Sequence, residues 1–183
     1  MSQKRSIFLI IVTACLCLAM GGFFESVNAA SVGQTLSNVQ IRDSSDNPSW
    51  ITGFGQQVIT IFYTDPDVKD VVDPLGDAIK AKNYSRAKYR GVGVVNMKDT
   101  WLPDAAIRMA VRSKEKKFNT KALTDPDSLL KTKWGLGNCN GYVVVIVIGK
   151  DKKVKYIKKV KTVAQSQAIA SQVISVIEQE INK

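Results

Sequence analysis

The sequence contains no histidine. Every mechanism that needs an imidazole is therefore excluded: Ser-His-Asp and Cys-His catalysis, and zinc sites with histidine ligands. Cysteine is nearly as scarce, with three residues, Cys15, Cys17 and Cys139. The first two fall in an apolar N-terminal run, so the rest of the chain has Cys139 alone. One cysteine cannot close an intramolecular disulfide or run a dithiol–disulfide cycle by itself. Long repeats and low-complexity stretches are also lacking. Acidic residues are in the minority, 16 against 26 Lys and Arg, for a formal net charge of +10. What is present is ordinary: 183 residues, 45% hydrophobic and 23% charged. That supports one folded domain with a core and is too balanced for a disordered chain.

The N-terminus reads as an export signal. Lys4 and Arg5 precede an uncharged, largely apolar run from Ile7 to Met20, which Gly21 and Gly22 break. Val27-Asn28-Ala29 offers small residues for cleavage after Ala29. The run is shorter than the roughly 20 residues of a membrane span, so cleavage is expected over a permanent N-terminal anchor. Val12-Thr13-Ala14-Cys15 fits a lipobox, which would make a lipoprotein at Cys15, but apolar sequence continues past it. The expected organisation is a signal peptide over residues 1–29 and a single domain over 30–183, located in the periplasm.

Within the domain, Val39–Arg42 reads as a short extended segment and Ser44–Trp50 as a polar loop around Asn47-Pro48. Gln57–Tyr63, QVITIFY, is β-branched and aromatic, hence a buried strand. Thr64-Asp65-Pro66-Asp67 reads as a helix start: Asp65 as N-cap, Pro66 at the first position, Asp67 at the positive end of the dipole. The helix then places Val68, Val71, Val72, Leu75 and Ile79 on one face, with Pro74 expected to kink it. Tyr89–Met97 is a second buried strand. Pro103 opens a helix with Ile107, Ala110 and Val111 apolar, and Lys114, Lys116 and Lys117 outward. Thr124-Asp125-Pro126-Asp127 reads as the same start device used again, leading a short helix with Leu129, Leu130 and Trp134. Tyr142–Ile148 is the most apolar run, expected as a central strand. Gly149-Lys150-Asp151-Lys152 turns into a partner strand, Val154–Val160. Thr162 and Gln165 form a capping box for a last helix burying Ile169, Val173, Ile174, Ile177 and Ile181. The order predicts a small α/β domain: a parallel pair with crossover helices and an antiparallel hairpin at the edge.

This order, ending in a hairpin and a helix, resembles the thioredoxin fold, whose active-site helix also contains an interior proline, matched by Pro74. In that register the family's CxxC motif falls on Pro66-Asp67-Val68-Lys69, so both cysteines are missing. The cis-proline that the family places before its central hairpin is missing too, since that region reads Gly137-Asn138-Cys139-Asn140-Gly141-Tyr142. A narrower resemblance, to the YtfJ-type exported thioredoxin-like proteins, is carried by VVNMKDTWLPDAAIRMAVRSKEKKF (Val94–Phe118), by Trp134-Gly135-Leu136 and by VVVIVIGKDKKV. It implies a small periplasmic thioredoxin-like domain, a mixed central sheet flanked by helices, without dithiol chemistry. Members of that family have poorly defined activity; with both cysteines of the motif missing, the expected role is a binding or accessory protein with a protein partner in the cell envelope and no cofactor.

Candidate site residues follow. Cys139 is the candidate catalytic thiol for a single-cysteine thioredoxin- or peroxiredoxin-like oxidoreductase. In a thioredoxin fold its loop would face the N-terminus of the active-site helix, where the dipole and Lys69 favour thiolate while Asp65 and Asp67 oppose it. The competing reading is an incidental loop cysteine. Thr64, Asp65, Asp67, Lys69, Asn138 and Asn140 form the candidate binding rim around the former active site. Thr64, Asp65, Asp67 and Asp70 lack the glycine and closing glutamate of a calcium loop, so no metal is expected and helix capping explains the acids. Lys150, Lys152, Lys153, Lys155, Lys158, Lys159 and Lys161 crowd the hairpin. They suit an anionic membrane surface, or protection of a sheet edge. Export leaves no nucleic acid as a partner. Trp50, Trp101 and Trp134, in loops or at helix ends, are expected to pack in the core, with a stacking site as the alternative.

Overall fold

The computed structural model describes residues 29–98 and 100–183. The signal segment and the Cys15 lipobox fall outside the described residues, Ala29 apart. Three strands rich in β-branched residues make the middle of the sheet: β3 (Val58–Thr64), β4 (Tyr89–Asn96) and β6 (Val143–Ile148). β3 runs parallel to β4 from Val58↔Tyr89 to Thr64↔Val95, and antiparallel to β6. Every residue of β6 is buried, which is why that strand reads as an unbroken apolar run rather than an alternation. β7 (Val154–Val160) pairs antiparallel with β6 through the turn at Gly149–Lys152, as expected.

The other side of the sheet holds the short extended segment expected at 39–42 and two strands that the sequence did not announce. β1 (Gln40–Asp43) pairs with β2 (Pro48–Trp50), which had been read as loop, and β5 (Ala122–Asp125) joins parallel to β4. The result is one mixed seven-stranded sheet in the order β2-β1-β5-β4-β3-β6-β7. The parallel set is thus three strands, not a pair. β5 was missed because its four residues, ALTD, end in the Thr-Asp-Pro-Asp that mimics a helix start.

Helices α1 (Asp73–Ala81), α2 (Asp104–Phe118), α4 (Val163–Ala168) and α5 (Ala170–Ile181) cover one face. There Leu75, Ile79, Val173 and Ile177 meet Val58, Val143, Val145 and Val147, while Ile107 and Val111 of α2 meet Ala122 and Val95. On the opposite face the segment carrying Leu36, Val39 and Ile51, and the short α3 (Leu129–Lys133) with Trp134, cover Ile59, Ile61, Tyr63 and Val144. Each such large apolar side chain contributes about 1.5–3 kcal/mol on burial.

Three local expectations are corrected. Pro66–Val68 is a single 3-10 turn, and α1 begins only at Asp73, so Pro74 sits in the first turn and opens that helix instead of kinking it. Val68, Val71 and Val72 still pack with Leu75 and Ile79, but not as one helical face. The last helix breaks at Ile169 into α4 and α5. Its cap is as read: Thr162 Oγ1 accepts from Gln165 N at 3.2 Å, though the Gln165 carboxamide takes the Lys161 amide at 2.9 Å. Of the tryptophans only Trp134 is core, stacked near Phe54 and donating to Ser37 O at 2.9 Å, whereas Trp50 and Trp101 are exposed.

Candidate functional site

Parallel strands deliver their C-terminal ends to one edge of the sheet, and there β3 hands the chain to Asp65. This residue is 1% exposed. Its carboxylate accepts from Asp67 N at 2.9 Å, capping the 3-10 turn, and from Gly141 N at 2.7 Å. Asp65 N in turn donates to Tyr142 O at 3.2 Å. One buried carboxylate therefore ties the loop after β3 to the loop before β6. Gly141 has φ +72°, a conformation open to glycine at little cost.

The Asp65 bonds join the two loops that carry the expected rim residues, though Lys69 pairs with Asp70 at 3.3 Å instead. Thr64 and Asp65 are buried and hold the loops; Asp67, Lys69, Asn138 and Asn140 are exposed. Asn138 Oδ1 accepts from Asn140 N at 2.9 Å, and Lys159 Nζ of β7 donates to Asn138 O at 2.6 Å. Asp70 leaves the group: Lys114 beside it, and Lys69, hold its carboxyl below the ordinary range, at 2.8 and 3.3 Å. Cys139 is fully buried against the core, and its thiol donates weakly to Leu136 O at 3.8 Å and Gly137 O at 3.5 Å.

The hairpin lysines do not form one stripe. Lys155 is half-buried between Asp151 at 2.7 Å and Glu180 at 3.4 Å. Asp151 beside it raises its pKa. Lys158 and Lys159 are neighbours on β7, so they project to opposite sides of the sheet. Lys150, Lys152, Lys153, Lys158 and Lys161 are exposed.

Sequence reasoning missed a second buried carboxylate. Asp125, at the end of β5, accepts from Leu129 N at 2.7 Å, Leu130 N at 3.1 Å, Lys131 N at 3.3 Å and the Tyr63 hydroxyl at 3.0 Å. The repeated Thr-Asp-Pro-Asp was the available signal. The two copies differ in use: Asp65 caps a turn two residues on and grips a distant loop, while Asp125 receives the amides of α3 and a phenol from β3.

Residues 31–180 match the family model described as "Bacterial protein of unknown function (YtfJ_HI0045)". Among curated proteins there is no significant match. Several solved structures are similar in fold. A putative protein disulfide isomerase from Bacteroides thetaiotaomicron superposes with a TM-score of 0.60 at 13% identity, covering 81% of this chain and 91% of that one. The pneumococcal exposed lipoprotein thioredoxin from Streptococcus pneumoniae gives 0.55 at 15%, covering 76% and 98%. A peroxiredoxin-like protein from Aquifex aeolicus gives 0.53 at 16%, covering 81% and 89%. At these identities the likeness shows the fold, which is thioredoxin-like. With its match spanning nearly the whole of the described domain, the chain belongs to the YtfJ_HI0045 family of bacterial proteins.

Proposed function

We propose that this protein is an exported, non-redox thioredoxin-fold accessory protein that binds a protein partner in the cell envelope through the rim formed by Asp67, Lys69, Asn138 and Asn140. The observation that carries this reading is Asp65. In the loop where a thioredoxin keeps its reactive cysteines, this chain keeps a buried carboxylate bonded to the Asp67 and Gly141 amides. That arrangement rigidifies the rim and supplies no nucleophile or electron carrier. Cys139, the one thiol of the domain, is sealed in the core, out of reach of a partner's disulfide.

The test is chemical cross-linking in cells producing the protein, with Cys15→Ser and Cys17→Ser as background so that Cys139 is the only thiol. A partner adduct is expected that survives both reductant and Cys139→Ser, and that is lost in the Asp67→Arg/Asn140→Arg variant. Folded protein should resist alkylation of Cys139 up to about pH 8.5, the free-thiol value. An adduct broken by reductant, or alkylation with a midpoint well below that pH, overturns the reading in favour of a single-cysteine oxidoreductase.

A further inference from the structure

Between the sheet and helices α1 and α2 lies a cavity of about 560 Å³. That is within the roughly 300–1,000 Å³ of small-molecule sites. Its floor is set by what β4 omits. Tyr89, Gly91, Gly93 and Val95 share the helix-facing side of that strand, because alternate residues share a face. Neither glycine has a positive φ. A Cβ at Gly91 would meet the Tyr89 hydroxyl at 3.5 Å, and one at Gly93 would meet Ala122 Cβ at 3.6 Å, both ordinary contacts. The backbone therefore does not call for glycine at either position, and glycine weakens a strand. What the two glycines supply is empty volume. The helix side of the cavity is small too, with Gly76, Ala106 and Ala110, and Phe62, Ile79 and Val111 complete an apolar lining.

Polar groups interrupt that lining, the Tyr89 hydroxyl, Lys80 and Arg86 among them. The buried hydroxyls of Tyr89 and Thr60 stand within reach of one another, and neither has a further hydrogen-bond partner. Burial pushes the Tyr89 phenol up, so it remains a protonated donor at any physiological pH. At the C-terminal end of α1 stand Lys80 and Arg86. Lys80 Nζ donates to Lys117 O at 2.9 Å and Arg86 to Asn119 O at 3.3 Å. Among the described residues neither has a carboxylate partner. The one carboxylate lining the cavity, Asp73, sits at the other end of α1 and is held by Lys114 and Lys117.

We propose that this cavity binds a single-chain anionic amphiphile, its apolar tail lying along the glycine floor beneath α1 and its anionic head at Lys80 and Arg86. The nine residues of α1 span roughly 14 Å at 1.5 Å each, enough to roof a medium-length alkyl chain. The size of the void selects one chain, the lining selects an apolar tail, and the mouth selects negative charge.

The experiment is calorimetric titration of the full chain with sodium dodecanoate below its micellar concentration, with dodecan-1-ol and acetate as comparison arms. Saturable one-to-one binding of dodecanoate is expected, weaker binding of the alcohol, and none of acetate. Lys80→Gln with Arg86→Gln should weaken dodecanoate about tenfold, the loss expected for charge-assisted contacts. Gly91→Val with Gly93→Val should abolish binding while leaving the thermal midpoint no lower than the parent's, since valine suits a strand. Should that variant fail to fold, amide shift mapping in the parent decides: dodecanoate should move Tyr89, Gly91 and Gly93. No saturable binding, equal affinity for the alcohol, or shifts confined to residues 1–28 would each overturn the proposal.

Discussion

At Asp125 one fully buried carboxylate receives three amides of α3 and the Tyr63 phenol. Removing it takes the shared acceptor from four donors, each loss costing about 1–3 kcal/mol less whatever other partners and re-entering water recover. Asp125→Ala should therefore lose on the order of 3–4 kcal/mol in urea unfolding, a large part of a domain's stability. Tyr63→Phe should lose about 1–2 kcal/mol, and the double variant should fall short of the sum, because both substitutions remove the same bond. An additive result would show that the phenol and the carboxylate are uncoupled. Asp65→Ala should also destabilise, by about 2 kcal/mol through the orphaned Asp67 and Gly141 amides, with Asp65→Asn closer to the parent. The sequence made Asp65 legible as a cap, because an Asx residue before proline has a short-range signature. Its grip on Gly141 was not legible, nor was the phenol on Asp125, since both join positions more than sixty residues apart. The burial of Cys139 lay beyond reach for the same reason. Polar loop neighbours gave no hint that it would join one core cluster with Leu36, Val39 and Ile51.

Strands that satisfy themselves by apolar content were readable one at a time: β3, β4, β6 and β7 fall within a residue or so of expectation. The short strands β2, at the sheet edge, and β5, inside it, have too few residues for propensity to carry much information about them, whereas β1 lies within a residue of the expected 39–42. Pro74 misled because a proline inside a long apolar pattern and a proline at the start of a shorter helix look alike until Pro66–Val68 is seen to close its own turn. The cavity had a trace in the sequence, GVGVV, but alternating glycines acquire meaning only once one face is known to lie under helices. The same elements yield a prediction. α2 is tied to α1 and to the turn before it by ion pairs, Lys114 to Asp70 and Asp73, and Lys117 to Asp73 and Asp77. The Lys114 hydrogen bond, opposed by partial burial, depresses the Asp70 pKa below 3.8. A depressed carboxylate contributes stability that is present above the unfolded value and lost as pH falls through the folded one. Thermal stability should drop as pH falls below about 4, and Asp70→Asn should remove part of that drop. Asp70 is largely exposed, so its share stays below about 1 kcal/mol and shrinks further in high salt. A drop unchanged by the substitution would assign the acid limb elsewhere.

Across the whole molecule, the excess of positive charge and the two ends of the sheet bear on one another. One end is closed by the three-residue β2, begun by Pro48 and too short to template pairing. The other is β7, whose first residues are covered by the chain at 33–36: Gly33 N donates to Val154 O and Val154 N to Gln34 O. Among the described residues that cover does not extend over Tyr156 to Val160, where the exposed Lys158 and Lys159 stand. Lysines on an uncovered edge oppose pairing with a second copy by repulsion and by the cost of desolvating their ammonium groups. Their placement on opposite sides of the sheet suits that role better than a flat contact with lipid headgroups, which needs charges on one side. The two readings separate by substitution. Lys158→Val with Lys159→Val creates an apolar, β-prone edge, and should drive concentration-dependent association seen by light scattering after size exclusion. Lys158→Gln with Lys159→Gln removes the same charge but keeps a polar, hydrated edge, and should associate less. If edge protection is their work, neither pair changes retention by vesicles rich in anionic lipid. If instead the glutamine pair stays monomeric and loses a salt-sensitive vesicle binding that the parent shows, the lysines serve a membrane surface, and the sheet edge is protected by its short exposed length alone.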